Sequence, residues 1–161
     1  MGEFNMALLE GAAFHAFISQ KLADFDKHAL YWNLPYEWKD KSLKDITIVG
    51  HFDNILPIAE KILCEWKRTG QTDVNKNGLL LRAKRQVATY ATILKRRTGI
   101  EYECFSVIAT KDVPAYMEAD KIVRPRIPGK LHIFKLTPEE IAQGWAFVHK
   151  TAYEVARALD Q

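Results

Sequence analysis

Two carboxylates and a lysine stand at spacings that suit hydrolysis of a phosphodiester bond. Asp53 and Glu65 fall on two successive predicted strands, and Lys67 follows Glu65 by two residues, so it shares that strand face. Such hydrolysis needs a cation at the phosphate, an activated water and a stabilised leaving oxygen. Two carboxylates in one site repel each other unless a cation joins them. The three residues therefore predict a divalent-cation site beside a lysine that positions or polarises water.

Four short motifs contain or flank these residues in a fixed order. They are G-x-x-x-H at residues 11–15, G-x-x-D at 50–53, E-x-K at 65–67 and Q-x-x-x-Y at 86–90. E-x-K alone occurs by chance in many chains, whereas the four together are specific. Their order, separations and predicted elements resemble those of PD-(D/E)XK nucleases of the RecB-type branch. The resemblance covers residues 11–90, and the rest of the chain is less diagnostic.

The family resemblance assigns a role to each residue of the metal site. It implies that His15, Asp53 and Glu65 bind Mg²⁺ or Mn²⁺, with the backbone carbonyl of Trp66 assisting. Mg²⁺ prefers oxygen ligands and keeps several waters, which suits a few carboxylates on rigid elements. Lys67 would orient or activate the attacking water. Asp53, Glu65 and Lys67 are thus the predicted catalytic residues.

The helix that carries Q-x-x-x-Y is the predicted contact to the nucleic acid. Gln86 and Tyr90 are four residues apart and so share one helix face, with Arg82 one turn earlier on it. The sequence from Arg82 to Arg97 contains six basic residues and no acidic one. Such a face can hold a phosphate backbone without reading base sequence. The same residues could also be an ordinary solvated helix surface with a half-buried tyrosine.

Each metal-site residue also has a plain structural interpretation. His15 could be a core histidine, and Asp53 could be a carboxylate at a turn or strand edge. Glu65 and Lys67 could form the solvent face of an edge strand, because simple alternation produces that pattern. His51 shares a strand face with Asp53, but we give it little weight in the site. The four motifs taken together favour the functional interpretation.

The first half of the chain is predicted to place the carboxylates on a hairpin. Apolar residues at helical spacing predict a helix over residues 7–25, and the aromatic, polar stretch 26–44 is predicted to be a loop. A β-branched strand over 45–50 is expected to continue to residue 55. Strict alternation predicts a second strand over 61–68, with an antiparallel turn near residues 57–60.

The second half alternates helix and strand. We predict a loop over residues 69–78, a helix over 79–97 that ends at Gly99, and strands over 102–111 and 131–136. Three prolines make residues 112–129 mostly loop. Thr137 and Glu140 form a capping box for the last helix, whose predicted buried residues are Ile141, Trp145, Val148, Ala152 and Val155. This order predicts an α/β fold, a restriction-endonuclease-like core with a mixed central sheet flanked by helices.

Composition bounds the class of protein. The 161 residues suit one domain, which we assign to residues 6–161, after residues 1–5, which resemble a cloning remnant. A net charge of +3 is compatible with a nucleic-acid partner. Two cysteines, Cys64 and Cys104, form no C-x-x-C motif and are too few for the iron–sulfur cluster of some relatives. No apolar run reaches the length of a membrane span and no signal peptide is visible, so we expect a cytoplasmic protein.

These observations predict a Mg²⁺- or Mn²⁺-dependent deoxyribonuclease, and an exonuclease in the first instance. Its partner would be single- or double-stranded DNA, with RNA left open, and with a homo-oligomer or an accessory protein supplying further grip. No membrane partner is expected. Two other functions stay open: a non-catalytic module on the same fold that binds nucleic acid or protein, and a structure-specific endonuclease. Retention of both carboxylates and Lys67 argues against the non-catalytic module.

Overall fold

A five-stranded mixed sheet forms the centre of the molecule. A computed structural model describes residues 31–55, 61–70 and 73–160, with 31–34 and 52–55 as backbone only. From one edge of the sheet to the other, its strands are β1 (Tyr31–Trp38), β2 (Ile48–Ile55), β3 (Ile62–Thr69), β4 (Glu103–Thr110) and β7 (Leu131–Lys135). The helix predicted over residues 7–25 lies outside the described residues.

Strand directions make the sheet mixed and put β3 at its centre. β1, β2 and β3 form an antiparallel meander, β3 pairs with β4 in parallel, and β4 pairs with β7 antiparallel. A parallel pair needs a long crossover. Helix α1 (Leu79–Thr98) supplies it between β3 and β4. The predicted α/β fold with a mixed central sheet and flanking helices is therefore confirmed.

Helix α1 packs its apolar face on the sheet. Val87 and Ile93 are fully buried, in one core cluster with Leu63 of β3 and Cys104 of β4. The helix ends at Gly99, whose φ of 73° lies in the left-handed region that glycine adopts without strain. The predicted end of this helix is confirmed within one residue.

Helix α2 (Pro138–Leu159) lies against α1. Its capping box is present, because Thr137 accepts a hydrogen bond from the Glu140 backbone and the Glu140 side chain accepts one from the Thr137 backbone. Gly144 is buried at the crossing with Ala88 of α1. Four of the five predicted buried residues pack on the core, but Val155 is 45% exposed, and Ala156 is buried in its place. The prediction for Val155 was wrong because the apolar stripe rotates along the helix.

The prediction of a loop over residues 26–44 is wrong for residues 31–38. Residues 31–38 form β1, and a short 3₁₀ turn, Lys41–Leu43, follows. Pro35 argued against a strand, since proline cannot donate to a sheet ladder. β1 is an edge strand of the five-stranded sheet, where that missing donor is tolerated, and Pro35 stands in register with His51.

A projecting hairpin corrects the prediction of loop over residues 112–129. Strands β5 (Tyr116–Glu118) and β6 (Lys121–Arg124) pair antiparallel outside the main sheet. The tip residues Ala119 and Asp120 have φ of 47° and 61°. Val113 and Ile127 exchange backbone hydrogen bonds of 2.8 and 2.9 Å at the base. Strands of three and four residues carry too little alternation to be recognised in a sequence.

Both cysteines of the chain are buried in the protein interior. Cys64 and Cys104 form no disulfide with each other. Burial, and secondarily the nearby Cys64 thiol, raise the pKa of the Cys104 thiol to about 12.

Neither helix in the described part of the chain combines the length and apolarity needed to cross a membrane.

Candidate active site

An open cleft of about 690 Å³ collects most of the residues that the sequence singled out. Its walls come from β1, β2, β3 and the facing sides of α1 and α2. Five predicted residues line it: Glu65, Lys67, Arg82, Gln86 and Tyr90. The structure therefore brings the E-x-K and Q-x-x-x-Y motifs together, although they lie on different elements.

Glu65 and Lys67 form an ion pair on the floor of this cleft. The Lys67 Nζ atom lies 3.0 Å from Oε1 of Glu65, and the Glu65 side chain is only 2% exposed. The pair cannot be the solvent face of an edge strand, because β3 has a paired strand on each side. A carboxylate in the interior needs an opposite charge or hydrogen bonds to compensate its lost hydration. Lys67, 27% exposed, supplies that charge and still reaches the cleft.

Asp53 lies on the strand next to Glu65. The β2–β3 register pairs Ile55 with Leu63 and Asn54 with Cys64. Asp53 and Glu65 are the next residues beyond the last of these pairs. The description of Asp53 stops at its backbone, and His15 lies outside the described residues. Within the described ranges, no three His, Cys, Asp or Glu side chains lie close enough to hold a metal ion.

The donors at this end of the sheet fit a hard cation such as Mg²⁺ or Mn²⁺. Glu65 offers a buried carboxylate, and the Trp66 carbonyl is the next backbone oxygen along the strand. Gln86 lines the same cleft, and its buried Oε1 atom finds no hydrogen-bond partner among the described residues. A buried amide oxygen of this kind needs a donor, a water or a cation. Mg²⁺ binds proteins through one or two carboxylates and keeps several waters. Oxygens such as Gln86 Oε1 can accept hydrogen bonds from those waters.

Tyr90 and Gln86 are held on the inner face of α1. Tyr90 is 5% exposed, and its ring meets the ring of Tyr36 edge-on, with centroids 5.0 Å apart at 66°. The helix spacing of four residues places Gln86 one turn earlier on the same wall. The wall of the cleft is thus built from polar groups on a rigid, packed helix.

The basic residues of α1 divide between the cleft and other contacts. Arg82 and Arg85 line the cleft, and the Arg85 guanidinium lies 3.5 Å from the Phe147 ring centroid. Lys84 instead pairs with Glu140 at 2.5 Å. Arg96 sits at the far end, 4.8 Å from the Trp145 ring centroid. The six basic residues therefore do not form one continuous face, contrary to what their sequence suggests.

Two lining residues were missed or given little weight in the sequence. His51 is exposed and lines the cleft beside β3. Tyr36 lines it from β1, a strand that the sequence did not reveal. Burial, and secondarily the negative charge of Glu65, raise the pKa of the Tyr36 phenol well above its ordinary value. The aromatic run of residues 31–38 was the available signal for this strand.

A second, larger cavity lies at the other end of α1. Its volume is about 880 Å³, and its lining includes Cys104, Leu136 and Trp145. The carboxylates at its rim are exposed and paired: Glu101 lies 3.0 Å from Lys95, and Glu103 lies 3.4 Å from Lys135. Catalytic groups are usually partly desolvated so that their charge is effective. The smaller cleft, with its buried Glu65, is therefore the better candidate active site.

Comparison with solved structures finds a protein of similar fold. The chain superposes on the crystal structure of a "putative exonuclease" from Eubacterium rectale with a TM-score of 0.52 and 15% identity. The match covers 91% of this chain but 53% of that protein, so the chain spans about half its length. No protein-family model matches the sequence, and no curated protein does.

Proposed function

We propose that the protein is a metal-dependent nuclease that hydrolyses phosphodiester bonds of DNA in the cleft around Glu65. The observation that carries this proposal is the ion pair between the buried Glu65 and the part-exposed Lys67, which lies in one cleft with Arg82, Gln86 and Tyr90. An anionic group and cationic groups, all facing one open cleft, suit a substrate that carries a negative phosphate and needs a cation. The PD-(D/E)XK resemblance and the fold of the Eubacterium rectale protein support it.

The metal ligands of this proposal are oxygen donors on adjacent strands. Glu65 and the Trp66 carbonyl come from β3, Asp53 comes from β2, and His15 completes the set proposed from the sequence. A bound Mg²⁺ or Mn²⁺ would neutralise the phosphate and lower the pKa of water. No iron–sulfur cluster is proposed. The rigid central strand gives Glu65 a fixed direction, which a ligand of an octahedral cation needs.

Lys67 is proposed to position the attacking water. In the reaction the water oxygen bonds to phosphorus and gives up a proton to solvent, the bond to the leaving oxygen breaks, and that oxygen takes up a proton from solvent. The Lys67 ammonium is held by Glu65 at 3.0 Å and is part exposed to the cleft. It can donate a hydrogen bond to the water, and its charge stabilises the extra negative charge that develops on the phosphate.

Arg82, Gln86 and Tyr90 are proposed to hold the nucleic acid backbone. All three lie on α1 and line the cleft, and they mix a charged donor with neutral ones. Contacts of these types fix the position of a strand without reading its bases. We therefore propose a sequence-independent activity, on single- or double-stranded DNA and with RNA left open. The likeness to the "putative exonuclease" favours attack from strand ends over internal cutting.

One cleavage assay tests the activity and its mode. End-labelled linear DNA and closed circular DNA, each single- and double-stranded, are incubated with Mg²⁺, Mn²⁺ or chelator. Loss of linear DNA alone, stopped by chelator, is expected for an exonuclease. Cleavage of circles would make the enzyme an endonuclease with the same site. Binding without any cleavage would favour a non-catalytic nucleic-acid-binding module.

Lys67→Ala assigns that activity to the proposed site. We expect a loss of about a hundredfold or more, because a charged donor at the reacting phosphate is removed. Lys95→Ala is the matched control, since Lys95 is exposed and pairs with Glu101 away from the cleft. If Lys67→Ala cleaves as fast as Lys95→Ala, the cleft around Glu65 is not the active site.

A further inference from the structure

Tyr36 occupies the cleft wall directly across from the Q-x-x-x-Y helix. It lies on β1 in register with Gly50 of β2, and it is 9% exposed. Its ring packs edge-on against Tyr90, and it lines the cleft together with Glu65 and Lys67. No motif includes it, because β1 precedes the G-x-x-D strand and enters the site only through strand pairing.

Gly50 makes the space that Tyr36 fills. A Cβ atom at Gly50 would fall against the Tyr36 hydroxyl oxygen and within 2.5 Å of two of its ring carbons. Such distances are too short for real atoms, so any other residue at position 50 would displace the tyrosine. The glycine of the G-x-x-D motif is thus explained by the position of a phenol in the cleft, and this links Tyr36 to a residue that the sequence already marked.

The hydroxyl of Tyr36 is a neutral donor in a cleft that presents both charged and neutral polar groups. A tyrosine phenol keeps its proton at neutral pH, so its hydroxyl can act as a hydrogen-bond donor. The Glu65 carboxylate repels the negative charge of an approaching phosphodiester. The neutral Tyr36 hydroxyl does not add to that repulsion. A phenol is therefore suited to donate a hydrogen bond to a phosphate oxygen at this position.

We propose that Tyr36 is a phosphate-contacting residue, whose hydroxyl donates a hydrogen bond to a non-bridging oxygen of the phosphodiester bound in the cleft. This inference rests on the proposed function in one respect, that nucleic acid enters this cleft. Gly50 serves it indirectly, as the residue that lets the Tyr36 ring reach this position.

Binding is measured separately from cleavage to test the contact. A fluorescently labelled single-stranded oligonucleotide and its duplex are titrated with protein in Ca²⁺, which binds to oxygen ligands with looser geometry than Mg²⁺ and is used here to hold substrate without turnover. Tyr36→Phe removes only the hydroxyl. We expect it to weaken binding by roughly tenfold, the loss of one hydrogen bond to a charged group. Tyr102→Phe is the matched control, because Tyr102 packs against the same core but lines the other cavity.

Gly50→Ala tests the same contact by a second route. The added Cβ displaces the Tyr36 ring while its hydroxyl is kept, so binding should again weaken. Combining Gly50→Ala with Tyr36→Phe should cost little more than Gly50→Ala alone, because both remove one contact. A merely structural tyrosine would instead give additive losses of thermal stability and leave the affinity of the folded protein unchanged.

The outcomes separate this inference from the proposed function. If the wild-type protein binds the oligonucleotide in Ca²⁺ but cleaves nothing in Mg²⁺ or Mn²⁺, the nuclease proposal fails while the contact is still decided by the binding comparison. If Tyr36→Phe binds within twofold of Tyr102→Phe, the contact is overturned and the nuclease proposal stands. A wild-type protein that binds neither oligonucleotide overturns both.

Discussion

At the scale of residues, two carboxylates are held in place by short polar contacts. Glu65 is buried beside Lys67 in the cleft. Asp40, just after β1, is a second carboxylate held by several polar contacts. Its carboxylate accepts hydrogen bonds from Trp38 Nε1 and His149 Nε2, each at 2.9 Å, and from the Ser42 backbone at 3.0 Å. Asp40 thereby ties the segment between β1 and β2 to α2.

These contacts make the stabilisation that Asp40 contributes dependent on pH. Burial alone would raise the pKa of Asp40, but the hydrogen bonds from Ser42, Trp38 and His149 outweigh it and lower the pKa well below its ordinary value of 3.8. A carboxyl with a depressed pKa in the folded state stabilises it above the unfolded pKa. The stabilisation is present at neutral pH and is lost as pH falls below about 4 towards the folded pKa.

Asp40→Asn should therefore destabilise the protein at neutral pH by about 1 kcal/mol, since it removes the charge from these hydrogen bonds. The difference from wild type should shrink as pH falls below about 4, where the wild-type carboxyl also begins to lose its charge. Urea unfolding measured at several pH values checks this. Asp120→Asn at the hairpin tip is the control and should show no such trend. An equal difference at neutral and acid pH would contradict the assignment.

At the scale of elements, the close crossing of the two helices supports the cleft. A Cβ at Gly144 of α2 would lie 2.6 Å from the Ala88 Cβ and 3.3 Å from the Arg85 Cα of α1. The absence of a side chain therefore sets how near α2 can approach. Phe147 and Val148, one turn further along α2, line the cleft, so this approach also sets its width.

Gly144→Val should destabilise the protein by about 1–3 kcal/mol through overpacking, although valine is a better helix former than glycine. Gln143→Val, at the exposed neighbouring position, is the control and should change stability by less. Chemical denaturation of the three proteins measures both effects. If Gly144→Val is as stable as wild type, the helices can separate without cost and the crossing does not set the cleft.

The strands and helices with strong local patterns were predicted from the sequence, and those that depend on pairing were not. The sequence pattern of residues 61–68 predicted β3, and a capping box predicted the start of α2, so each was recognised in isolation. β1 contains Pro35, which is acceptable only because the strand lies at an edge. Whether a strand is central or at an edge is a property of the assembled sheet.

Some residues of the candidate site could likewise be predicted from the sequence, and others could not. Glu65, Lys67, Gln86 and Tyr90 belong to motifs of fixed spacing, so the order of residues along the chain is enough to identify them. Tyr36 cannot be identified in that way, because its place depends on a strand register that brings it over Gly50. The roles proposed for Asp53 and His15 stay predictions.

At the scale of the whole molecule, charge is placed unevenly although its sum is small. The net charge is +3, and along the sequence Arg82 and Arg97 belong to one basic run. The structure separates them, because Arg82 lines the cleft and Arg97 lies in the exposed last turn of α1. Only basic groups near the bound backbone displace its counterions.

Arg82→Ala should therefore reduce the salt dependence of DNA binding, with the slope of log affinity against log salt falling by about one. Arg97→Ala should leave that slope unchanged. Fluorescence anisotropy in Ca²⁺ over a range of salt concentrations measures both variants. Equal changes in the two would mean that the whole basic helix, and not the cleft, contacts the nucleic acid.

The projecting hairpin offers a practical consequence. β5 and β6 pair only with each other in the described chain, and the hairpin joins the main sheet through its base at Val113 and Ile127. Its tip, at Ala119 and Asp120, is exposed and belongs to no wall of the cleft. A dye, an affinity handle or a surface tether placed there would leave the cleft around Glu65 unaltered. The same isolation would allow this arm to be lengthened or replaced while the cleft around Glu65 keeps its shape.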